Sequence, residues 1–171
     1  GRKLAEFFYI PGIALGTSAA TFSSQNFGAG ERARIAKGAR SGIFMYFCWW
    51  LVALVFVIFL APTAVKFITG SSNPEVIKNG VLYLRISIPM IPTMAILVIL
   101  RNILQGMRRP GMPLFCSCLE LIGKVIFALW LVPAFGYLAV CICEPVTWVI
   151  CCVVIAVAVF AIRGEFTNRH I

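Results

Sequence analysis

The run Gly42-Ile-Phe-Met-Tyr-Phe-Cys-Trp-Trp-Leu-Val-Ala-Leu-Val-Phe-Val-Ile-Phe-Leu-Ala61 holds no charge and presents no polar face. At about 1.5 Å per residue a helix of this length spans about 30 Å, the thickness of a bilayer's hydrocarbon core. The rest of the chain has the same character. Apolar residues make up 61% of the 171 and charged residues 12%, against roughly half and a quarter in soluble domains. A globule this small buries only about two-thirds of its unfolded surface, so this much Leu, Ile, Val and Phe requires lipid as the solvent.

Four further segments fit the same criterion, giving spans at about 7–25, 42–61, 81–104, 112–132 and 137–162. The first carries small residues at every fourth place, Gly12, Gly16, Ala20, Ser24 and Gly28. That spacing makes one smooth face and permits close backbone approach between helices in lipid. The second span lies at the periphery, and Pro62 with Gly70-Ser-Ser-Asn-Pro74 marks a turn outside the bilayer. Pro89 and Pro92 remove backbone donors from the third span, so it bends or opens. Leu131-Val-Pro-Ala-Phe-Gly136 makes a tight turn, which leaves the fourth and fifth spans as antiparallel neighbours. The expected fold is all-α: a polytopic membrane helix bundle of about five transmembrane helices, one transmembrane domain over residues 1–171. The absence of a cleavable leader before the first span implies that an amino-terminal part precedes Gly1.

A net charge of +9 raises the question of nucleic acid. The cations instead cluster between apolar runs, as in loops beside an anionic membrane surface, so nucleic acid is excluded as a partner. Arg32, Arg34, Lys37 and Arg40 follow the first span, Arg101, Arg108 and Arg109 close the third, and Arg163 and Arg169 lie in the tail. Arg2, Lys3, Lys66, Lys78 and Arg85 fall on the opposite side. Nine against five makes the first set cytoplasmic and puts the carboxy terminus inside. The seven cysteines all sit in apolar runs without His or carboxylate at zinc-ligand spacing, and read as free thiols packing as small hydrophobes. Gly28-x-Gly30 lacks the strand and third glycine of a nucleotide fingerprint. The lone His170 stands in the polar tail and there is no Asp, so a hydrolase site has nothing to be built from. No enzyme activity, metal or cofactor is expected.

Three segments carry a resemblance to a known family. Gln25-Asn26-Phe27-Gly28-Ala29-Gly30 resembles the Gln-Asn-x-Gly-Ala motif of the multidrug and toxic compound extrusion (MATE) family. Tyr83-Leu84-Arg85-Ile86 resembles that family's Tyr-Leu-Arg-Ile stretch, and Leu104-Gln105-Gly106-Met107-Arg108-Arg109-Pro110 with Gly111-Met112-Pro113 resembles its Leu-x-Gly-x-Gly-x-x-x-x-Pro loop. Met107 and Arg108 stand where a glycine is commoner. Glu120-Leu-Ile-Gly-Lys124 and Cys143-Glu144-Pro145 look like the family's last two helices in bacterial members. The resemblance implies a partial carboxy-terminal lobe, helices eight to twelve of a twelve-helix plan, in the bacterial plasma membrane. It also implies secondary antiport, in which H+ or Na+ drives export of amphipathic, often cationic, compounds, with the missing amino-terminal lobe as partner.

Charges within hydrocarbon cost about 2.5–3.5 kcal/mol each, so they need a partner or a water-filled cavity. Glu120 and Lys124, four residues apart, share one helix face and pair. They are the leading candidates for a substrate and ion pathway, and otherwise anchor the fourth span against the third. Thr17, Ser18 and Glu144 join the pathway set, although Glu144 beside Pro145 can instead satisfy backbone donors. Gly28, Gly30, Pro89 and Pro92 are the candidate hinge or kink positions. Arg101 and Asn102 are expected to snorkel to headgroups. Two alternatives stay open: a lipid-linked oligosaccharide flippase, whose cavity needs more cations than Lys124 offers, and a membrane interaction subunit without transport.

Overall fold

The computed structural model describes residues 2–70 and 73–161. Expectations for Ser71, Ser72, Ile162, Arg163, Arg169 and His170 lie outside the described residues. Five helical rods run back and forth. The first is α1, Arg2–Gly28, and the second α2, Arg32–Thr69. The third joins α3, Pro74–Ser87, through a 3₁₀ turn at Ile88–Met90, to α4, Ile91–Gly106. The fourth joins α5, Gly111–Ile126, through a π turn at Phe127–Leu131, to the short α6, Val132–Phe135. The fifth is α7, Tyr137–Ala161. Among the described residues four of these rods are long and apolar enough to cross a membrane; α1 is the exception. Its Ser, Thr, Gln and Asn content makes it less apolar than the others, and it packs against α2, α4 and α3.

The smooth face of α1 sets the packing. A Cβ on Gly12 would stand 2.8 Å from the Tyr46 ring, and one on Gly16 2.8 Å from Val98. On α4, a Cβ at Gly106 would strike the backbone carbonyl of Ala20 and lie 3.1 Å from the Ser24 nitrogen. Small residues on both helices therefore allow the backbones to touch. Aromatic donors on α2 add bonds to carbonyls of the neighbouring rods. The Phe8 carbonyl, next to the Phe7 carbonyl that Pro11 leaves without a helical donor, accepts from Tyr46 Oη and Trp49 Nε1, both at 3.1 Å. The Ile88 carbonyl, to which Pro92 cannot donate, accepts from Ile91 N–H and from Trp50 Nε1 at 2.9 Å. The third rod is broken into a 3₁₀ turn at these prolines.

Two readings of the second span need correction. Pro62 lies inside α2 and does not end it; the helix continues to Gly70, a left-handed residue at φ 62 whose N–H caps Lys66. One missing hydrogen bond is outweighed because Ala61 and Val65 on either side of it remain packed in the core. The cations Arg32 to Arg40 form the first turns of α2 and not a loop. At 38 residues α2 is about 57 Å long, so it projects well beyond a hydrocarbon core of about 30 Å. Residues 131–136 are likewise mostly helical, and the chain reverses at Gly136, φ 58.

The connections at 29–31 and 107–110 meet at one end of the bundle, where Ile35, Ile99, Ile103 and Met107 pack together with Phe27. Both are closed by the same hydrogen-bond pattern. Glu31 N–H bonds the Asn26 carbonyl and Gly30 N–H that of Phe27, while Arg109 N–H bonds Leu104 and Arg108 N–H bonds Gln105. This is the Schellman cap, which requires a left-handed residue just past the helix. Gly30 fills that place at φ 76 and Arg108 fills it at φ 60. The departure from glycine at 107–108 thus falls on a residue whose backbone favours glycine. At the other end Asn73 caps α3 by accepting from Glu75 N–H at 2.9 Å, with Pro74 opening the helix.

Candidate functional site

Rods one, three, four and five converge on a cavity of about 270 Å³ that gathers five charged side chains: Glu6, Arg101, Glu120, Lys124 and Glu144. Each arrives for a local reason. Arg101 is set five residues before the end of α4, and the turn at 107–110 folds α5 back beside it. Arg101 Nη1 then meets Glu120 Oε2 at 3.2 Å, and its other nitrogen donates to Ser117 Oγ. One helical turn beyond Glu120, Lys124 Nζ reaches Glu120 Oε1 at 3.4 Å. Glu120 is therefore clamped from both sides, about 14 Å into its helix from the α4–α5 turn. Its own helix supplies one cation and α4 the other, so the group ties the fourth rod to the third.

Glu144 meets a different environment. Its Oε2 accepts from Tyr83 Oη at 2.9 Å, a neutral donor reaching across from α3. Pro145 follows it inside α7, and so the Cys141 carbonyl has no helical N–H to accept. Glu144 does not turn back to satisfy that backbone; it faces the cavity. Tyr83, Lys124 and Glu144 also line an adjoining space of about 240 Å³, bounded by Phe127 and Ala128 of the π turn. Single π turns of this kind recur at functional sites because they re-aim side chains on a helix.

Tyr9 closes the cavity from α1. Its ring stands edge-on to Trp148 with centroids 5.6 Å apart, and its hydroxyl is buried beside those of Ser87 and Tyr83.

The remaining sequence candidates sit elsewhere. Thr17 and Ser18 donate to carbonyls of their own helix, at Ala14, and neither lines the charged cavity. Gly28 lies in the last turn of α1 with open space around it, while Gly30 serves the cap. Pro89 and Pro92 shape the break in the third rod, outside the cavity. Arg101 does not snorkel to headgroups; its fork is held by Glu120 and Ser117. Asn102 donates to the Val98 carbonyl at 2.8 Å. Sequence reading missed Glu6, Tyr9 and Tyr83. Glu6 and Tyr9 share a face at i, i+3, which is a usable signal, but Tyr83 and Glu144 are 61 residues apart and nothing local joins them.

Among the described residues no group of three His, Cys, Asp or Glu is placed to hold a metal ion. Cys116, Cys141 and Cys151 are buried between helices, whereas Cys48 and Cys118 are exposed; Cys116 on α5 and Cys151 on α7 lie face to face, each thiol directed at the other's carbonyl, at 3.9 and 3.6 Å.

The family model described as MatE matches residues 1–130. The match takes in α1 through α5 and most of the π turn, with Arg101, Glu120 and Lys124, and stops before α7 and Glu144. No curated protein and no solved structure matches the chain. The matched segment is well over half of the 171 residues, its helices are those of a multi-pass membrane protein, and the chain belongs to the MatE family, a family of transporters.

Proposed function

We infer that this chain works in a secondary active antiporter that exports amphipathic, cationic compounds in exchange for H+ or Na+, with the charged cavity as part of its pathway. The observation that carries the reading is the gathering of ionisable side chains from four rods, three of them long and apolar enough to cross a membrane, into one space. Charges at such depth are kept where they face a cavity or pathway. The carboxylates of Glu120 and Glu144 and the apolar walls of Met94, Leu97 and Trp148 line the same space, a combination that suits an amphipathic, cationic cargo.

The two inner carboxylates divide the work. Glu120, held by Arg101 and Lys124, is a fixed charge that positions the helices. Glu144, which accepts from a phenol and has no cation bonded to it among the described residues, is the carboxylate proposed to exchange a proton or Na+ for cargo. Lys124 keeps part of its side chain exposed, at 46%, and this side of the bundle is closed in this reading by a second helical lobe. Alternating access then comes from rocking of the two lobes about the cavity. The cation-rich end, with Arg32 to Arg40, Arg108 and Arg109, faces the cytoplasm of a bacterial cell by the positive-inside rule.

The test is accumulation of a fluorescent organic cation in drug-sensitive cells expressing the full-length gene. Expression should lower accumulation, Glu144→Gln should restore it, and Glu120→Gln should weaken efflux less severely. Accumulation unchanged by expression would refute export. Full efflux by Glu144→Gln would refute the role given to that carboxylate.

A further inference from the structure

A second cavity, of about 230 Å³, opens between α1 and α2 away from the charged one. Its walls are apolar: Leu15, Ala19 and Phe22 from α1, Gly38, Gly42 and Met45 from α2. Three serine hydroxyls interrupt them. Ser18 is satisfied by its own helix, and Ser41 lies at the exposed rim. Ser23 is 0% exposed, and its hydroxyl has no partner although a helical serine ordinarily bonds back to the preceding turn. Glycine keeps the crevice narrow, since a Cβ on Gly38 would run into the Phe22 ring.

The crevice leads toward the cation-rich end. On α2, Arg34 precedes Gly38 and Lys37 precedes Ser41 by four residues, so both cations continue the stripe that lines the crevice, one turn nearer the surface. Their side chains lean toward the amino end of α2, away from the hydrocarbon. Among the described residues no carboxylate pairs with Arg34 or Lys37, and both are exposed.

We propose that this crevice binds one anionic phospholipid of the surrounding bilayer, with its phosphate on Arg34 and Lys37, its ester region beside Ser23, and one acyl chain along Leu15 and Met45. The match is of chemistry with depth: cations at headgroup level, an unpartnered donor about one turn deeper, and apolar walls below that. A cationic drug does not fit it, because the cations stand at its mouth. The second lobe does not fit it either, since a docked helix would leave Arg34 and Lys37 without anions. The site is separate from the charged cavity, and its existence does not depend on antiport.

The test is native mass spectrometry of the purified full chain in mild detergent, titrated with dioctanoyl phosphatidylglycerol or dioctanoyl phosphatidylcholine. One phosphatidylglycerol should be retained in preference to phosphatidylcholine. A surface cation contributes about a fivefold factor to anionic-lipid binding, so R34Q/K37Q should weaken retention by about tenfold or more, and Ser23→Ala by a smaller factor. The exposed pair K66Q/K78Q at the other end should leave retention unchanged and show that the loss is local. Equal retention of the two lipids, or undiminished retention by R34Q/K37Q, would overturn the proposal. Displacement of the lipid by millimolar glycerol phosphate alone would also overturn it, because the site would then belong to a free anion.

Discussion

Arg108 carries the clearest strain at the scale of one residue. It occupies the left-handed place of a Schellman cap at φ 60, where the equivalent residue of the other cap at this end is Gly30 at φ 76. A side chain there costs about 1–2 kcal/mol, partly offset because glycine loses about 0.5–1 kcal/mol more backbone entropy on folding. Arg108→Gly should therefore stabilise the protein by about 0.5–1 kcal/mol, and Gly30→Ala should destabilise it by about 1 kcal/mol. Thermal unfolding in detergent checks both signs. The clamp on Glu120 is testable at the same scale. With Arg101 and Glu120 each 21% exposed at the side chain, the pair is partly screened, and a double-mutant cycle should give a coupling of about 1 kcal/mol. A coupling of zero would mean that Arg101 is held by Ser117 alone.

At the scale of elements, the contact of α1 with α4 is decided by Gly106. Adding a Cβ there forces the helices apart, so Gly106→Ala should cost about 1–3 kcal/mol. Gly42→Ala is the control: its Cβ would stand 3.6 Å from Ile99, an ordinary contact, and a helical glycine replaced by alanine gains about 0.5–1 kcal/mol. The α1 side of this contact was legible in the sequence, because Gly12, Gly16, Ala20 and Ser24 at every fourth place make a face whatever the fold; Gly106 stood only within a loop motif, and Gly28, at the end of the stripe, meets open space. The break in the third rod was legible for the same kind of reason, since Pro89 and Pro92 lack donors wherever they stand. Pro62 shows the limit of that logic. A proline removes one bond, and whether the helix survives depends on flanking packing that only the assembled bundle supplies. The pairings of Glu144 with Tyr83 and of Arg101 with Glu120 were hidden for a related reason, because each joins residues from different rods. Glu120 with Lys124 could be read because a helix brings i and i+4 together by itself.

At the scale of the whole molecule, alternation of the rods puts 29–31 and 107–110 at one end and Gly70, Asn73 and Gly136 at the other. With the cation-rich end in the cytoplasm, as proposed, single cysteines at Arg34 and Arg109 in a cysteine-free background should be protected from an impermeant thiol reagent added to intact cells, and one at Lys78 should react; the reverse pattern would contradict the proposed orientation. The proposed pathway requires that water reach the charged cavity inside the membrane. The decisive comparison is between Val98→Cys, on the cavity wall, and Ile122→Cys, on the exposed apolar face of α5, for reaction with a charged methanethiosulfonate in the full-length protein. Val98→Cys should react readily, with an organic cation slowing it, while Ile122→Cys stays inert. Inertness at Val98 together with reaction at Ile122 would contradict the assignment of which face meets water and which meets lipid.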